Sequence, residues 1–70
     1  MLDHGMLASS ELLTIKEAAR RLGLSRAKLY QLMESGELVY VKFGKARRIP
    51  LAGLAELVAR NLRGGWHEGA

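Results

Sequence analysis

Between Thr14 and Leu22 the apolar side chains fall at Ile15, Ala18, Ala19 and Leu22, while Lys16, Glu17, Arg20 and Arg21 take the positions between them. A spacing of i, i+3, i+4 and i+7 predicts an amphipathic helix. Thr14 and Glu17 stand at capping-box spacing. The Thr hydroxyl accepts from the amide of residue 17, and the Glu carboxylate reaches back to the amide of residue 14. Gly23 is the expected stop, because glycine enters the left-handed region without steric cost. Ser25, one residue beyond Leu24, reads as the N-cap of a second helix that runs to about Ser35 and is closed by Gly36. Leu29, Leu32 and Met33 form its inward stripe. Ala27, Lys28, Gln31 and Glu34 fall opposite, with Arg26 and Tyr30 on the flanks.

After Gly36 the period shortens to two. Val39, Val41 and Phe43 alternate with Tyr40 and Lys42, which predicts a strand. A turn through Gly44 and Lys45, followed by Arg47 to Ile49, completes a hairpin. Pro50 ends that strand and suits the start of a third helix, whose apolar face is Leu51, Leu54, Leu57, Val58 and Leu62. Order is expected from residue 12 to 63, with tails at 1–11 and 64–70. Helix, a short glycine-containing turn, then helix is the helix-turn-helix unit, whose second helix fits a DNA major groove.

Charge sharpens this picture. From Lys16 to Arg48 there are nine cations against Glu17, Glu34 and Glu37, a net of +6 within a chain whose total is +4. An uneven distribution of this sign points to an anionic partner, either nucleic acid or a membrane surface. The cations gather on a turn and a helix start rather than along one helix beside a Trp/Phe/Leu face, which disfavours the membrane. The stretch "VKFGKARRIP" sets Lys42, Lys45, Arg47 and Arg48 around Gly44. It is not a phosphate-binding P-loop, since that motif needs glycine at position 39 and a hydroxyl at 46, where this chain has Val39 and Ala46.

Seventy residues without cysteine form one small domain that nothing staples, with no thiolate metal site and no sign of an oxidising compartment. No apolar run reaches the roughly 20 residues a bilayer requires, and the first residues do not read as a signal peptide, so a cytoplasmic protein is expected. His4 and His67 stand far apart without partners at ligand spacing, so no metal and no cofactor is expected. No histidine or hydroxyl pairs with an acid in an active-site pattern, and Glu17 already has a capping role, so a binding module is expected rather than an enzyme. The Leu-rich third helix reads first as core, with a partner surface formed by Leu57, Leu62 and Trp66 as the alternative, and Trp66 beside two glycines either docks on the core or mediates self-association.

The run "LLTIKEAARRLGLSRAKLYQLMESGELVYVKFGKARRIPLAGLAELV", Leu12 to Val58, resembles the small excisionase-type winged helix-turn-helix domains, relatives of the mercury-resistance-regulator (MerR) type. The likeness rests on the order and spacing of three pieces: "LLTIKEAARRLGLS", "SRAKLYQLMESGEL" and the wing "FGKARRIP". It implies a mainly α, α+β fold of three helices, with a two-stranded β-hairpin wing between the second and third. It implies that Ser25, Arg26 and Lys28 approach the major groove and adjacent phosphates, and that Lys45 and Arg48 grip backbone or minor groove. Tyr30, Lys42, Gly44 and Arg47 complete the candidate DNA-binding set, Tyr30 either contacting phosphate or packing beside the wing. Gln31 stands where such domains often carry arginine. Glutamine bonds the N6/N7 edge of adenine, whereas arginine prefers guanine. Ala46 and Arg47 stand where another wing cation or an aromatic is common in such domains.

The implied partners are double-stranded DNA, a tyrosine integrase, and further copies of the chain assembling on repeated sites. An excisionase acting with an integrase at attachment sites is the first reading, and a small winged-helix transcriptional regulator the second. A protein-interaction adaptor that does not bind DNA is the third. A chain of this length leaves no room for an effector-sensing domain, so control is expected through abundance or partners.

Overall fold

A computed structural model of the chain describes residues 11–64. The predicted tail residues 1–10 and 65–70, with His4, His67 and Trp66, lie outside the described residues. The elements in chain order are β1 (Leu12–Thr14), α1 (Ile15–Leu22), α2 (Arg26–Glu34), β2 (Val41–Phe43), β3 (Ala46–Pro50) and α3 (Leu51–Arg60). Three helices therefore pack with a small antiparallel sheet. The sheet has three strands rather than two, in the order β1-β3-β2. The added strand is β1, whose Leu13 pairs with Ile49.

Helix boundaries follow the capping chemistry. The Thr14 hydroxyl accepts from the Glu17 amide at 3.1 Å, and the Ser25 hydroxyl from the Lys28 amide at 3.0 Å. Only half of the expected capping box forms. Thr14 is the last residue of β1, opposite Arg48, and the Glu17 carboxylate turns instead to Arg20 at 3.2 Å and Arg21 at 3.8 Å. Gly23, at φ 70°, gives its amide to the Arg20 carbonyl while Leu24 bonds to Ala19. Gly36, at φ 84°, gives its amide to Met33 while Glu37 bonds to Leu32. Both ends are Schellman motifs, which satisfy carbonyls the helix leaves open and fix the exit direction of the chain.

The core lies where α1, α2 and α3 meet the inner face of the sheet. Ala18, Leu29 and Ile49 are fully buried, and Leu13, Leu38, Met33, Leu54 and Leu57 nearly so. Two features here differ from the sequence expectation. The strand begins at Val41 rather than Val39, and the buried residue of the preceding segment is Leu38, while Val39 and Tyr40 are exposed. The reason is the exit from α2, where the amides of both Glu37 and Leu38 bond to the Leu32 carbonyl and turn Leu38 inward. On α3, Leu57 is core, Leu51 and Leu62 are half-buried, and Val58 is exposed. The Arg60 guanidinium bonds to the Glu37 carbonyl and ties the end of α3 to the α2–β2 connection. No helix among the described residues is long and apolar enough to cross a membrane.

Candidate nucleic-acid interface

Helix periodicity and the contacts of α2 together divide its surface. Leu29 and Met33 point into the core, and Leu32 is half-buried beside them. Tyr30 and Glu34 lie on the flank that meets the wing, because both contact Arg47. Lys28 lies on the other flank, where it borders an apolar groove with Leu24, Leu32 and Leu57. Ala27 and Gln31, one turn apart and exposed, are left as the outermost residues. Ser25 and Arg26 stand at the N-terminus of α2, whose first turn carries no acidic residue. The open amides and positive dipole end there favour an anion.

The wing is built by register. Val41 pairs with Arg48, Lys42 with Arg47 and Phe43 with Ala46, which leaves Gly44 and Lys45 as a two-residue loop. Gly44 has φ 62°, whereas Lys45, like every other non-glycine described, has negative φ. Positive φ at the first loop position alone identifies a type II′ turn, which matches the twist of the flanking strands. The loop projects the exposed Lys45 from the tip.

Alternation along β3 separates the two wing arginines. Arg47 shares a face with Ile49, which is fully buried, so its side chain is directed towards α2. Its guanidinium lies 5.3 Å from the Tyr30 ring centroid and 4.8 Å from that of Tyr40. It meets Glu34 at 3.5 Å and the Met33 sulfur at 3.9 Å, and its side chain is only 21% exposed. Lys42, opposite Arg47 on the edge strand, is on this same face and exposed. Arg48 is on the other face, in a row with Thr14 and Val41, and its guanidinium turns back to the Arg47 carbonyl at 2.9 Å.

The predicted set is therefore not one uniform patch. Ser25, Arg26, Lys28 and Gln31 are presented by α2, and Lys42, Gly44 and Lys45 by the adjoining edge and tip of the wing. Tyr30 and Arg47 join the two units, and Arg48 occupies the far side of the sheet. Tyr40 and Glu34 were not among the predicted binding residues, yet both hold Arg47. The only sequence signal for that cluster is one acid on an otherwise basic helix and two tyrosines flanking the α2 exit.

Comparison with known proteins agrees with this geometry. The helix-turn-helix domain family matches residues 12–62. A protein named as a probable excisionase from Saccharopolyspora erythraea is 46% identical over 54 residues, which cover 77% of this chain and 55% of that protein. An excisionase from Streptomyces ambofaciens is 35% identical over 52 residues, covering 74% of this chain and 84% of that protein. The chain thus spans little more than half the length of the first relative and most of the second. No solved structure gives a significant match. With both helix caps, the intervening turn and the wing in place within the matched residues, the chain belongs to the helix-turn-helix family of excisionase-type DNA-binding domains, a non-enzymatic family.

Proposed function

We propose that the domain binds double-stranded DNA by laying α2 in the major groove and the wing tip on the adjacent backbone, and that it serves as an excisionase. The observation that carries this reading is the pairing of an exposed polar ridge on α2 with a cationic wing tip beside it. Arg26, Lys28, Lys42 and Lys45 make none of the ion pairs found among the described residues, whereas Arg20, Arg21, Arg47 and Arg60 each pair with a glutamate. The first four are free to meet phosphate, which positions the protein without reading sequence. Gln31, outermost on α2, is the residue for base reading, and adenine is its natural partner through the N6/N7 edge.

In this reading the protein, in the cytoplasm, marks an attachment site and acts there with an integrase. The names of the two relatives support that role. Copies bound at neighbouring sites cooperate.

Selection from randomised duplexes tests the arrangement. The domain should enrich a defined site, and Gln31→Ala should flatten preference at one base position, where a good bidentate contact discriminates by about 1 to 3 kcal/mol. Glutamine releases no counterion, so non-specific affinity should stay largely intact. Unchanged preference at every position would move base reading away from α2, towards DNA shape sensed by the wing. No retention of any duplex at moderate salt would favour an adaptor that does not bind DNA.

A further inference from the structure

We infer that Arg47 is not a DNA contact but the positioning residue that sets the wing against α2, and this rests on the DNA-binding reading above. Four separate groups converge on one guanidinium. Tyr30 and Glu34 come from α2, Met33 from the inner side of the same helix, and Tyr40 from the segment entering the wing. Two stretches of chain, α2 and the segment entering the wing, thereby share one cation carried by a third, β3. The stacking geometry suits arginine, whose planar group lies over aromatic faces while its edge donates to a carboxylate.

Alternation explains why the side chain faces inward. Arg47 is on the buried face of the central strand, with Ile49 two residues on, and its contacts among the described residues come from α2 and the wing entry. Lys42 stands directly opposite on the edge strand, and like charges in that position repel. The repulsion favours Lys42 away from Arg47 and Arg47 towards Glu34. The pair also cancels the one acidic charge of α2, on a helix that must approach phosphate. Arg47 therefore acts on DNA through Lys42 and Lys45, by fixing the strands that carry them.

The test is a charge-neutral replacement, Arg47→Met with Glu34→Gln, compared with wild type, Lys45→Ala and the combination of all three changes. Melting temperature and the salt dependence of duplex binding are both read. A phosphate contact contributes about one to the slope of log K against log salt. The expected result is a lower melting temperature, a several-fold weaker complex and a slope within about 0.3 of wild type, while Lys45→Ala alone lowers the slope by about one. Positioning also predicts non-additivity: Lys45→Ala should cost clearly less affinity in the replaced background, because the wing no longer holds the lysine in place.

A slope lower by about one with an unchanged melting temperature would make Arg47 a phosphate contact and overturn the inference. A full Lys45 effect in the replaced background would overturn positioning and leave Arg47 only a packing role. Should the double replacement fail to fold, Tyr40→Ala removes one stacked ring and no charge, and the same two readouts apply. Wild type with a slope near zero would instead overturn the DNA reading itself, a result separable from both outcomes above.

Discussion

Leu29 shows how much a single position decides. It is fully buried at the centre of the inward face of α2, and the sequence places it there because Leu29, Leu32 and Met33 repeat with the helical period. Gly53 shows a constraint that periodicity does not reveal. It lies in α3, and a Cβ at that position would stand 2.7 Å from the Cγ2 of Val39. Valine is stiff at χ1 and gives way poorly. Alanine gains about 1 kcal/mol over glycine in a helix interior, whereas overpacking costs about 1 to 3 kcal/mol. Gly53→Ala should therefore be less favourable in the wild-type background than in a Val39→Ala background, by about 1 kcal/mol or more. Denaturant unfolding of the four proteins of this cycle measures the difference. Additive effects would mean that Val39 does not press on α3.

The elements differ in how openly the sequence announces them. Both helices of the helix-turn-helix were legible because each carries its own start and stop: Thr14 and Gly23 for α1, Ser25 and Gly36 for α2. The hairpin was legible from its period and its glycine, and its turn type became definite only once the sign of φ at Gly44 was known. Strand β1 was not legible. Leu12–Thr14 is three residues long, too short for a period, and it is a strand only because β3, far along the chain, pairs with it. Leu38 was missed for a similar reason, since its burial follows from the bonds of the α2 exit and not from any alternation. The wing cations were legible as a group, but their division between the two faces of β3 depends on register.

The β1 assignment makes a prediction of its own. Leu13 is 2% exposed, and its partner Ile49 is fully buried, so Leu13→Ala should leave a cavity and cost about 2 to 5 kcal/mol, as much as Leu29→Ala. A melting temperature close to wild type would show that β1 contributes little and that the domain rests on the hairpin alone. For a domain this small a loss of that size is a large part of total stability.

At the scale of the whole molecule the distribution of charge becomes a distribution of tasks. Of the nine cations between Lys16 and Arg48, Arg20 and Arg21 pair with Glu17 on α1, and Arg47 with Glu34 between α2 and the wing. Among the described residues Lys16, Arg26, Lys28, Lys42 and Lys45 make no such pair, and Arg48 bonds to a backbone carbonyl. Helix burial holds α2 against α1 and the sheet; in the proposed reading the Arg47 cluster holds the wing beside α2, and the unpaired cations of α2 and the wing meet phosphate. If Arg26, Lys28, Lys42, Lys45 and Arg48, the five of these on α2 and the wing, neutralise about five phosphates, log K for a duplex should fall against log salt with a slope of roughly −5. The most direct test is this titration on the wild-type domain between about 50 and about 200 mM monovalent salt. A slope of roughly −5 supports α2 and the wing as the DNA-binding surface, and a slope near zero contradicts it.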